Sequence, residues 1–237
     1  GTVDRIRQTI SAIFNIGIYH EKCKENPASI SRNDKVSIMR RNKKNINNDR
    51  ERYISKSEAE QMLHELRLRD ETVYLMALMA LTTGARAGEI LSIKFKDIDY
   101  YSGFITLDNT KNGYSRKIKM TPEVHKLIEA RHQDKANQYL FKTKNNTKLD
   151  KIPQTYFTVV EKLFNKDLET SDSKNRVVFH TLRHTFASWL ALDGVPIFTI
   201  QKLMGHKDIN MTMRYAKLSP DAGVEAVMNI ERSLVGG

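Results

Sequence analysis

Apolar residues follow two different spacings along the chain, and the change between them predicts where helices and strands lie. Residues 2–22 carry isoleucines at helical spacing, which predicts one amphipathic helix. Helical spacing returns after residue 53 and predicts helices over 55–68, 71–83, 87–92, 122–136, 153–166, 181–192, 196–204, 209–216 and 220–234. A period of two predicts strands at Ile93–Ile98, Phe104–Leu107 and Arg116–Met120, with a turn at Asn112–Gly113. The pattern therefore predicts a mainly α fold with a small three-stranded antiparallel sheet (α+β).

Capping residues support several of these helices. Ser55 and Glu58 have the spacing of a capping box, so a helix should begin there. Gly84 should end the helix over residues 71–83, because glycine readily adopts the left-handed conformation that closes helices. Asp208 is expected to cap the short helix over residues 209–216.

The chain is predicted to contain two structured parts joined by a basic linker. Residues 1–27 hold one amphipathic helix with nothing nearby to cover it, which predicts the last helix of a domain that begins upstream. Residues 28–52 are poor in apolar residues. Between Lys35 and Arg52, seven basic and two acidic residues leave a net charge of +5. A solvated tether and a tether lying along a DNA backbone both fit this segment, and residues 53–237 are predicted to form a complete domain.

Composition favours a polyanionic partner. The 237 residues carry a formal net charge of +11 and a sequence pI of about 9.6, and Lys and Arg release condensed counterions when they meet phosphates. Cys23 is the only cysteine, which excludes an internal disulfide and a multi-cysteine metal site. No apolar run approaches the ~18 residues of a membrane span, and residues 1–20 lack the pattern of a secretory signal. A cytoplasmic location is therefore expected.

Several segments of the second part carry side chains suited to phosphodiester exchange without a metal. Arginine can neutralise the charge that grows on the non-bridging phosphate oxygens, and a tyrosine oxygen can form a covalent phosphoester. Lysine and histidine can move the protons. The candidates are Arg86, Lys111, His180, Arg183, His206 and Tyr215.

These residues and their order resemble the tyrosine recombinase (phage integrase) family. The motifs are His180-x-x-Arg183-His184, Gly84-x-Arg86-x-x-Glu89, Leu-Met-Gly-His206, Tyr215 nine residues later, and Lys111 beside a hairpin turn. The resemblance covers about residues 53–220. It implies the family's catalytic-domain fold, with residues 1–27 as the end of its core-binding domain. It also implies a site-specific DNA recombinase or integrase, for integration, excision or transposition of a mobile element.

The resemblance further implies a role for each candidate residue. Tyr215 would attack the scissile phosphate and form a 3′-phosphotyrosyl intermediate. Arg86 and Arg183 would hold the non-bridging oxygens, with Glu89 orienting Arg86. Lys111 would protonate the leaving 5′ oxygen.

The two remaining candidates would assist at the phosphate. His180 would exchange a proton with Tyr215 or orient the phosphate, and His206 would hydrogen-bond it. His184 is assigned a structural role, since it lies one turn beyond His180 on an apolar helix. His180 and His184 at i,i+4 could hold zinc on a helix face, but the metalloprotease pattern needs Glu directly after the first His, where Thr181 stands, and no cysteine cluster supplies further ligands. No metal, nucleotide or other cofactor is therefore expected.

The expected partners are double-stranded DNA and further copies of the chain. The linker residues expected to contact DNA are Lys35, Arg40, Arg41, Lys43 and Lys44. By the resemblance, the apolar stripe of the helix over 220–234 would dock on a neighbouring protomer in a homotetramer, although packing on its own domain also fits. Accessory DNA-bending proteins and association with a bacterial nucleoid are further expectations.

Other interpretations stay open at this point. Arg86 could be a surface residue paired with Glu89, Lys111 an ordinary turn lysine, and Tyr215 a packing residue. His206 could simply cap a helix end. At the level of function, the alternatives are a chromosome-dimer resolvase, a type IB topoisomerase-like enzyme and a non-catalytic DNA-binding relative.

Overall fold

The computed structural model describes residues 2–29, 52–109, 114–132, 136–169 and 171–220. The chain divides into two compact units, Gly1–Asp49 and Arg50–Gly237. The predicted DNA-contacting linker residues, the turn at Asn112–Gly113 and nearly all of the predicted last helix lie outside the described residues. None of the helices in the described ranges is both long enough and apolar enough to cross a membrane.

One helix, α1 (Thr2–Tyr19), makes up most of the described first unit, as its apolar spacing predicts. Asn26 folds the following chain back along it by donating hydrogen bonds to the Ser11 carbonyl at 3.0 Å and to Asn15 Oδ1 at 2.7 Å. The isoleucines of the predicted stripe and its surroundings are exposed: Ile6, Ile10, Ile13 and Ile16.

Two consecutive helices begin the second unit and supply much of its core. α2 (Lys56–Arg69) starts with the predicted capping box, in which Ser55 Oγ accepts from the Glu58 N–H at 3.1 Å and Glu58 accepts from the Ser55 N–H at 2.7 Å. α3 (Glu71–Thr83) is buried over most of its surface, and nine of its 13 residues are apolar or aromatic. It ends at Gly84, which has the predicted left-handed conformation (φ 63°).

The predicted three-stranded antiparallel sheet is present. Its order is β1 (Ile98–Asp99), β2 (Phe104–Asn109) and β3 (Tyr114–Lys119). Ile105 pairs with Ile118, and Leu107 pairs with Arg116. Side chains two residues apart on a strand share a face, so Arg116 lies on the same face as three residues that are buried in the core, Ile105, Leu107 and Ile118.

The predicted strand Ile93–Ile98 is wrong in its extent. Only its last residue pairs with β2, and Phe95–Asp97 forms a 3-10 turn. The backbone of residues 93–96 bonds an irregular segment instead, since the Leu140 N–H donates to the Ile93 carbonyl at 2.8 Å and the Phe95 N–H to the Gln138 carbonyl at 3.1 Å. Ile93 and Phe95 are nevertheless buried, so the alternation reports burial correctly and strand pairing incorrectly.

The rest of the described chain adds shorter helices that close around this core. They are α4 (Ala87–Ile90), α5 (Pro122–Glu129), α6 (Gln154–Val160), α7 (Phe179–Leu192), α8 (Ile197–Met204) and α9 (Asn210–Met213). α5 stops before the predicted end at residue 136, and α6 continues as a π-helical turn over Glu161–Asn165. The predicted helix over 209–216 breaks after α9 into a 3-10 turn, Ala216–Leu218.

A second, smaller apolar cluster lies where α7, α8 and the segment after α9 meet. Its buried members are Ala187, Ala191, Ile200, Met204 and Tyr215. Asp208 helps to start α9, because its carboxylate accepts the Asn210 N–H at 2.9 Å. Through this cluster, the last described segment of the chain, which includes Tyr215, packs against α7.

Candidate active site

The loop after α3 presents Arg86 together with Glu89. The Arg86 N–H donates to Glu89 Oε2 at 2.8 Å, and its guanidinium Nη1 donates to Glu89 Oε1 at 2.9 Å. This double contact closes the first turn of α4, so the carboxylate both caps the helix and orients the arginine. The predicted pairing of Glu89 with Arg86 is therefore present in the fold.

A third side chain, Arg116 on β3, joins this pair. Its Nη1 and Nη2 donate to Glu89 Oε1 and Oε2 at 2.8 and 2.9 Å, which is a bidentate contact. Burial raises the pKa of Glu89, but the hydrogen bonds from Arg116 and the Arg86 backbone and the two guanidinium charges outweigh it, so the pKa falls to about 2. Glu89 is thus an anion shared between two arginines at neutral pH.

Sequence reasoning missed Arg116 as a site residue, although a signal was present. Arg116 has the same strand parity as Ile118 and Met120, which are buried. A charged residue in phase with buried neighbours needs a partner of opposite charge. The alternation therefore could have marked Arg116 as part of an internal ion pair.

Arg183 on α7 joins two separate loops. Its side chain is 2% exposed, and Nη1 donates to the Gly84 carbonyl while Nη2 donates to the Met204 carbonyl. These carbonyls lie two residues before Arg86 and two residues before His206. Burial, together with the charges of Arg86 and Arg116, lowers the pKa of Arg183 to about 9, so it stays charged at neutral pH.

His206 follows the left-handed Gly205 that ends α8. Its Nδ1 lies 2.9 Å from the hydroxyl of Thr212, which is buried. Burial lowers the pKa of His206 to about 4, assisted by the charges of Arg183, Arg86, Arg116 and His180. His206 is therefore neutral at pH 7. The charges that act on it come from three predicted site residues and from Arg116, all of them distant along the sequence.

Tyr215 lies in the smaller apolar cluster and is 4% exposed. Its hydroxyl is 2.6 Å from Nδ1 of His184. Burial raises the pKa of the Tyr215 phenol, and the charges of Arg214 and Arg183 offset this rise only in part. The sequence analysis gave His184 a structural role, but the structure places its ring nitrogen on the hydroxyl of the candidate nucleophile.

The site as a whole has an excess of positive charge. The guanidinium groups of Arg86 and Arg116 pair with one carboxylate, that of Glu89, and Arg183, which bonds the Gly84 and Met204 carbonyls, adds a third positive charge that interacts with them. Each guanidinium has five N–H donors, so donors remain for a further anion. A phosphate-sized anion beside a tyrosine hydroxyl is the arrangement that nucleophilic attack on phosphorus requires.

The structure brings together Arg86, Glu89, His180, Arg183, His206 and Tyr215, through the contacts and charge interactions described above. Lys111 lies outside the described residues, as do Lys35, Arg40, Arg41, Lys43 and Lys44. Within the described ranges, no three His, Cys, Asp or Glu side chains are grouped so that they could hold a metal ion.

Comparison with known proteins gives consistent matches. The family model described as "Phage integrase family" matches residues 52–221. Tyrosine recombinase XerA of Saccharolobus solfataricus is 36% identical over 148 residues, which is 62% of this chain and 46% of the relative. The shufflon-specific DNA recombinase of Escherichia coli is 26% identical over 211 residues, 88% of this chain and 49% of the relative. The chain thus spans about half the length of these relatives.

Solved structures show the same fold. A Tn1549 transposon integrase bound to circular intermediate DNA superposes with a TM-score of 0.64 at 22% identity, over 96% of this chain and 78% of that one. A XerA recombinase crystal structure superposes with a TM-score of 0.56 at 24% identity, over 76% of this chain and 65% of that one.

Proposed function

Because the chain belongs to the phage integrase family, we propose that it is the catalytic part of a tyrosine-type, site-specific DNA recombinase. The observation that carries this proposal is the convergence of two arginines and a tyrosine hydroxyl from three separate segments. Arg183 holds the carbonyl of the loop that presents Arg86, and its charge acts on Tyr215. The relatives named above supply the reaction class, strand breakage and rejoining.

In the proposed reaction, the Tyr215 oxygen attacks a backbone phosphorus while the bond to the 5′ oxygen breaks. Arg86 and Arg183 stabilise the charge on the non-bridging oxygens, and Glu89 and Arg116 hold Arg86 in place. His206, neutral and held by Thr212, is suited to hydrogen-bond a phosphate oxygen. Lys111 is proposed, by family resemblance, to protonate the departing 5′ oxygen.

The product of this step is a 3′-phosphotyrosyl bond and a free 5′ hydroxyl. Because one phosphoester replaces another, the energy of the broken bond is retained, and religation needs no nucleotide. Double-stranded DNA is the proposed partner, supported by the net charge of +11 and by solved relatives bound to DNA. A homotetramer on DNA, linked through residues 220–234, is proposed for strand exchange.

The test starts from a library of nicked duplexes with randomised sequence, since the target site is unknown. A nick beside the cleavage point lets a short strand diffuse away, so cleaved DNA stays attached to the protein. We expect the wild-type protein to retain duplexes of one sequence class after denaturation, and Tyr215→Phe to retain none. No attached DNA with the wild type, or equal attachment with Tyr215→Phe, would refute the proposal.

Assays on the selected duplex separate the remaining alternatives. A recombinase exchanges strands between two copies of that duplex, whereas a type IB topoisomerase relaxes supercoiled plasmid without exchange. A non-catalytic relative does neither. Strand exchange without efficient relaxation is the expected result.

The proposed biological role is integration, excision or transposition of a mobile element. The XerA relatives, at 36% and 30% identity, favour a second candidate, chromosome-dimer resolution. Sequencing the DNA attached to the full-length protein in cells decides between them. Attachment at the ends of the element that carries the gene supports the first role, and attachment at one chromosomal locus elsewhere supports the second.

A further inference from the structure

The hydroxyl of Tyr215 has a specific partner, His184, that neither the family resemblance nor the comparisons assign to the reaction. The hydroxyl oxygen lies 2.6 Å from His184 Nδ1, and the ring centres are 6.1 Å apart with the planes tilted by 45°. This separation is slightly shorter than the usual range of about 2.7–3.2 Å between nitrogen and oxygen, so the imidazole nitrogen and the phenol are hydrogen-bonded. The contact is therefore to the oxygen that would attack the phosphate.

Both members of this pair are held by buried neighbours. His184 stands on α7 between Arg183 and Thr185, which are 2% and 0% exposed. Thr185 Oγ1 accepts the Ile54 N–H at 3.1 Å and donates to the Thr181 carbonyl at 2.9 Å, which fixes this turn of the helix. The Tyr215 N–H donates to the Thr212 carbonyl at 2.9 Å.

A phenol in this position needs a proton acceptor. Tyr215 is almost fully buried, so bulk water has little access to its hydroxyl. The proton must leave as the oxygen bonds to phosphorus, and a side chain already hydrogen-bonded to the oxygen can take it without rearrangement. On these contacts, and resting on the proposed function, we propose that His184 is the catalytic base that removes the Tyr215 proton during cleavage.

The proton balance of this step is complete. His184 Nδ1, unprotonated with its hydrogen on Nε2, takes the phenol proton as the tyrosine oxygen bonds to phosphorus and the bond to the 5′ oxygen breaks. The 5′ oxygen takes its proton from another group, proposed to be Lys111. In religation the 5′ hydroxyl loses its proton to that group, and protonated His184 returns one to the departing tyrosine oxygen.

The position of His180 fits a different role. His180 lies one helical turn before His184, is exposed, and packs the edge of its ring against His184 with centres 4.7 Å apart. In its protonated form His180 would also lower the pKa of His206, so it acts on one of the proposed phosphate ligands. His180 is thus suited to the phosphate, the second of the two roles that the sequence analysis gave it, and His184 to the nucleophile.

The first test measures single-turnover cleavage of the selected nicked duplex. His184→Asn keeps a polar atom near the place of Nδ1 but cannot take a proton. We expect it to form the covalent adduct about 100-fold or more slowly than wild type, with unchanged binding of the duplex in gel shifts. The control is His64→Asn, which replaces an exposed histidine on α2 and should cleave at the wild-type rate.

The second test distinguishes proton transfer from mere positioning. A DNA strand ending in a 3′-(4-nitrophenyl) phosphate can be joined to a 5′-hydroxyl strand without the tyrosine, and 4-nitrophenolate leaves without needing a proton. In a Tyr215→Phe background, adding His184→Asn should leave this joining reaction nearly unchanged. A loss as large as the loss in cleavage would overturn the proposal, because it would mean that His184 maintains the site in general.

The outcomes separate this inference from the function on which it rests. If wild type forms the adduct and His184→Asn forms it equally fast, the inference fails and the proposed function stands. If wild type forms no adduct on any duplex of the library, the proposed function itself fails.

Discussion

Glu89 holds two arginines that come from different elements of the fold. It accepts hydrogen bonds from Arg86 on the loop before α4 and from Arg116 on β3, and its side chain is only 9% exposed. If this carboxylate were removed, the two guanidinium groups would keep their positive charges without the negative charge that offsets them. The residue that fixes the geometry of Arg86 is therefore a carboxylate that would not itself touch the phosphate.

Replacing this carboxylate should weaken both stability and activity. Glu89→Gln removes the charge that both guanidinium groups share, so we expect a loss of about 2 kcal/mol in the free energy of unfolding. We also expect cleavage of the selected duplex to slow by roughly 10- to 100-fold, because Arg86 loses its orientation. Urea denaturation and single-turnover cleavage measure the two effects.

The matched control is Glu65→Gln on α2. Glu65 pairs with Arg69 at 3.3 Å in an exposed i,i+4 contact, and such pairs contribute about 0.3–0.5 kcal/mol. Equal effects of the two substitutions would show that the Glu89 contacts are an ordinary surface network.

Because the pKa of His206 is lowered in the fold, the stability of the protein should depend on pH. Its pKa is near 6.5 in an unfolded chain and about 4 in the fold, mainly because of burial. Between these values the unfolded chain binds the extra proton and the fold does not, so stability should decrease as pH falls from about 6.5 to 4. One such proton contributes at most about 1.4 kcal/mol per pH unit.

His206→Asn should flatten this part of the stability profile, since asparagine keeps a polar atom beside Thr212 and does not titrate. Melting temperatures at intervals between pH 7 and pH 4 provide the measurement. A profile as steep as that of wild type would mean that other groups cause the decrease. Below about pH 4.5, protonation of Glu89, whose pKa in the fold is about 2, should lower stability further in both proteins.

At the level of single residues, the sequence identifies reactive side chains better than it identifies which side chains contact one another. Arg86, Arg183, His206 and Tyr215 were chosen for their chemistry and their motifs, and the fold brings them together. Arg116 and His184 were not, because their roles depend on which side chains approach from elements 27 and 31 residues away. Local spacing carries no such information.

At the level of elements, the turn at Gly84 connects helix geometry to the site. Gly84 has φ 63°, and its carbonyl accepts from Arg183. A Cβ at this position would lie 2.5 Å from Phe186 and 2.9 Å from Met204 Sδ. Gly84→Ala therefore meets both an unfavourable backbone conformation and a steric clash.

We expect Gly84→Ala to destabilise the protein by about 3 kcal/mol, with roughly 1–2 kcal/mol from the left-handed conformation and the rest from the displaced side chains. Gly88→Ala is the control, because Gly88 lies within α4 and a Cβ there meets nothing within 4 Å. It should be neutral or stabilising by about 0.5 kcal/mol. Similar denaturation midpoints for the two variants would contradict this account.

Element boundaries were predictable where the signals are local. The capping box at Ser55 and the glycine after α3 depend on neighbouring residues alone, and both are confirmed. The strand Ile93–Ile98 failed because its backbone bonds a segment more than 40 residues later, around Gln138 and Leu140. Hydrophobic alternation records which side chains are buried, but it does not record which backbone pairs with which.

At the scale of the whole molecule, charge and assembly are the features that bear on the proposed binding of DNA. The excess of basic residues is spread over the chain, and part of it lies between Lys35 and Arg52, in the predicted linker. Neutralising Lys43 and Lys44 together should reduce affinity similarly for all duplexes and lower the salt dependence of binding by about two units of slope. Gel shifts at several salt concentrations measure this, and an unchanged slope would show that the linker does not contact phosphates.

Removing residues 221–237 should separate assembly from binding. The apolar stripe of this segment is predicted to dock on a neighbouring protomer, so its deletion should weaken formation of higher-order complexes on DNA more than binding to a single site. Gel-shift titrations resolve the two kinds of complex. Equal weakening of both would indicate that the segment packs on its own domain.

In the proposed reaction, Tyr215, Arg86 and Arg183 act together on one backbone phosphate. The most direct test of this reaction is mass spectrometry of the peptide to which cleaved DNA stays attached after nuclease digestion. We expect a nucleotide joined through its 3′ phosphate to Tyr215, and little or no such peptide from Arg86→Ala or Arg183→Ala protein that still binds DNA. Attachment at another residue, or through a 5′ phosphate, would contradict the proposal.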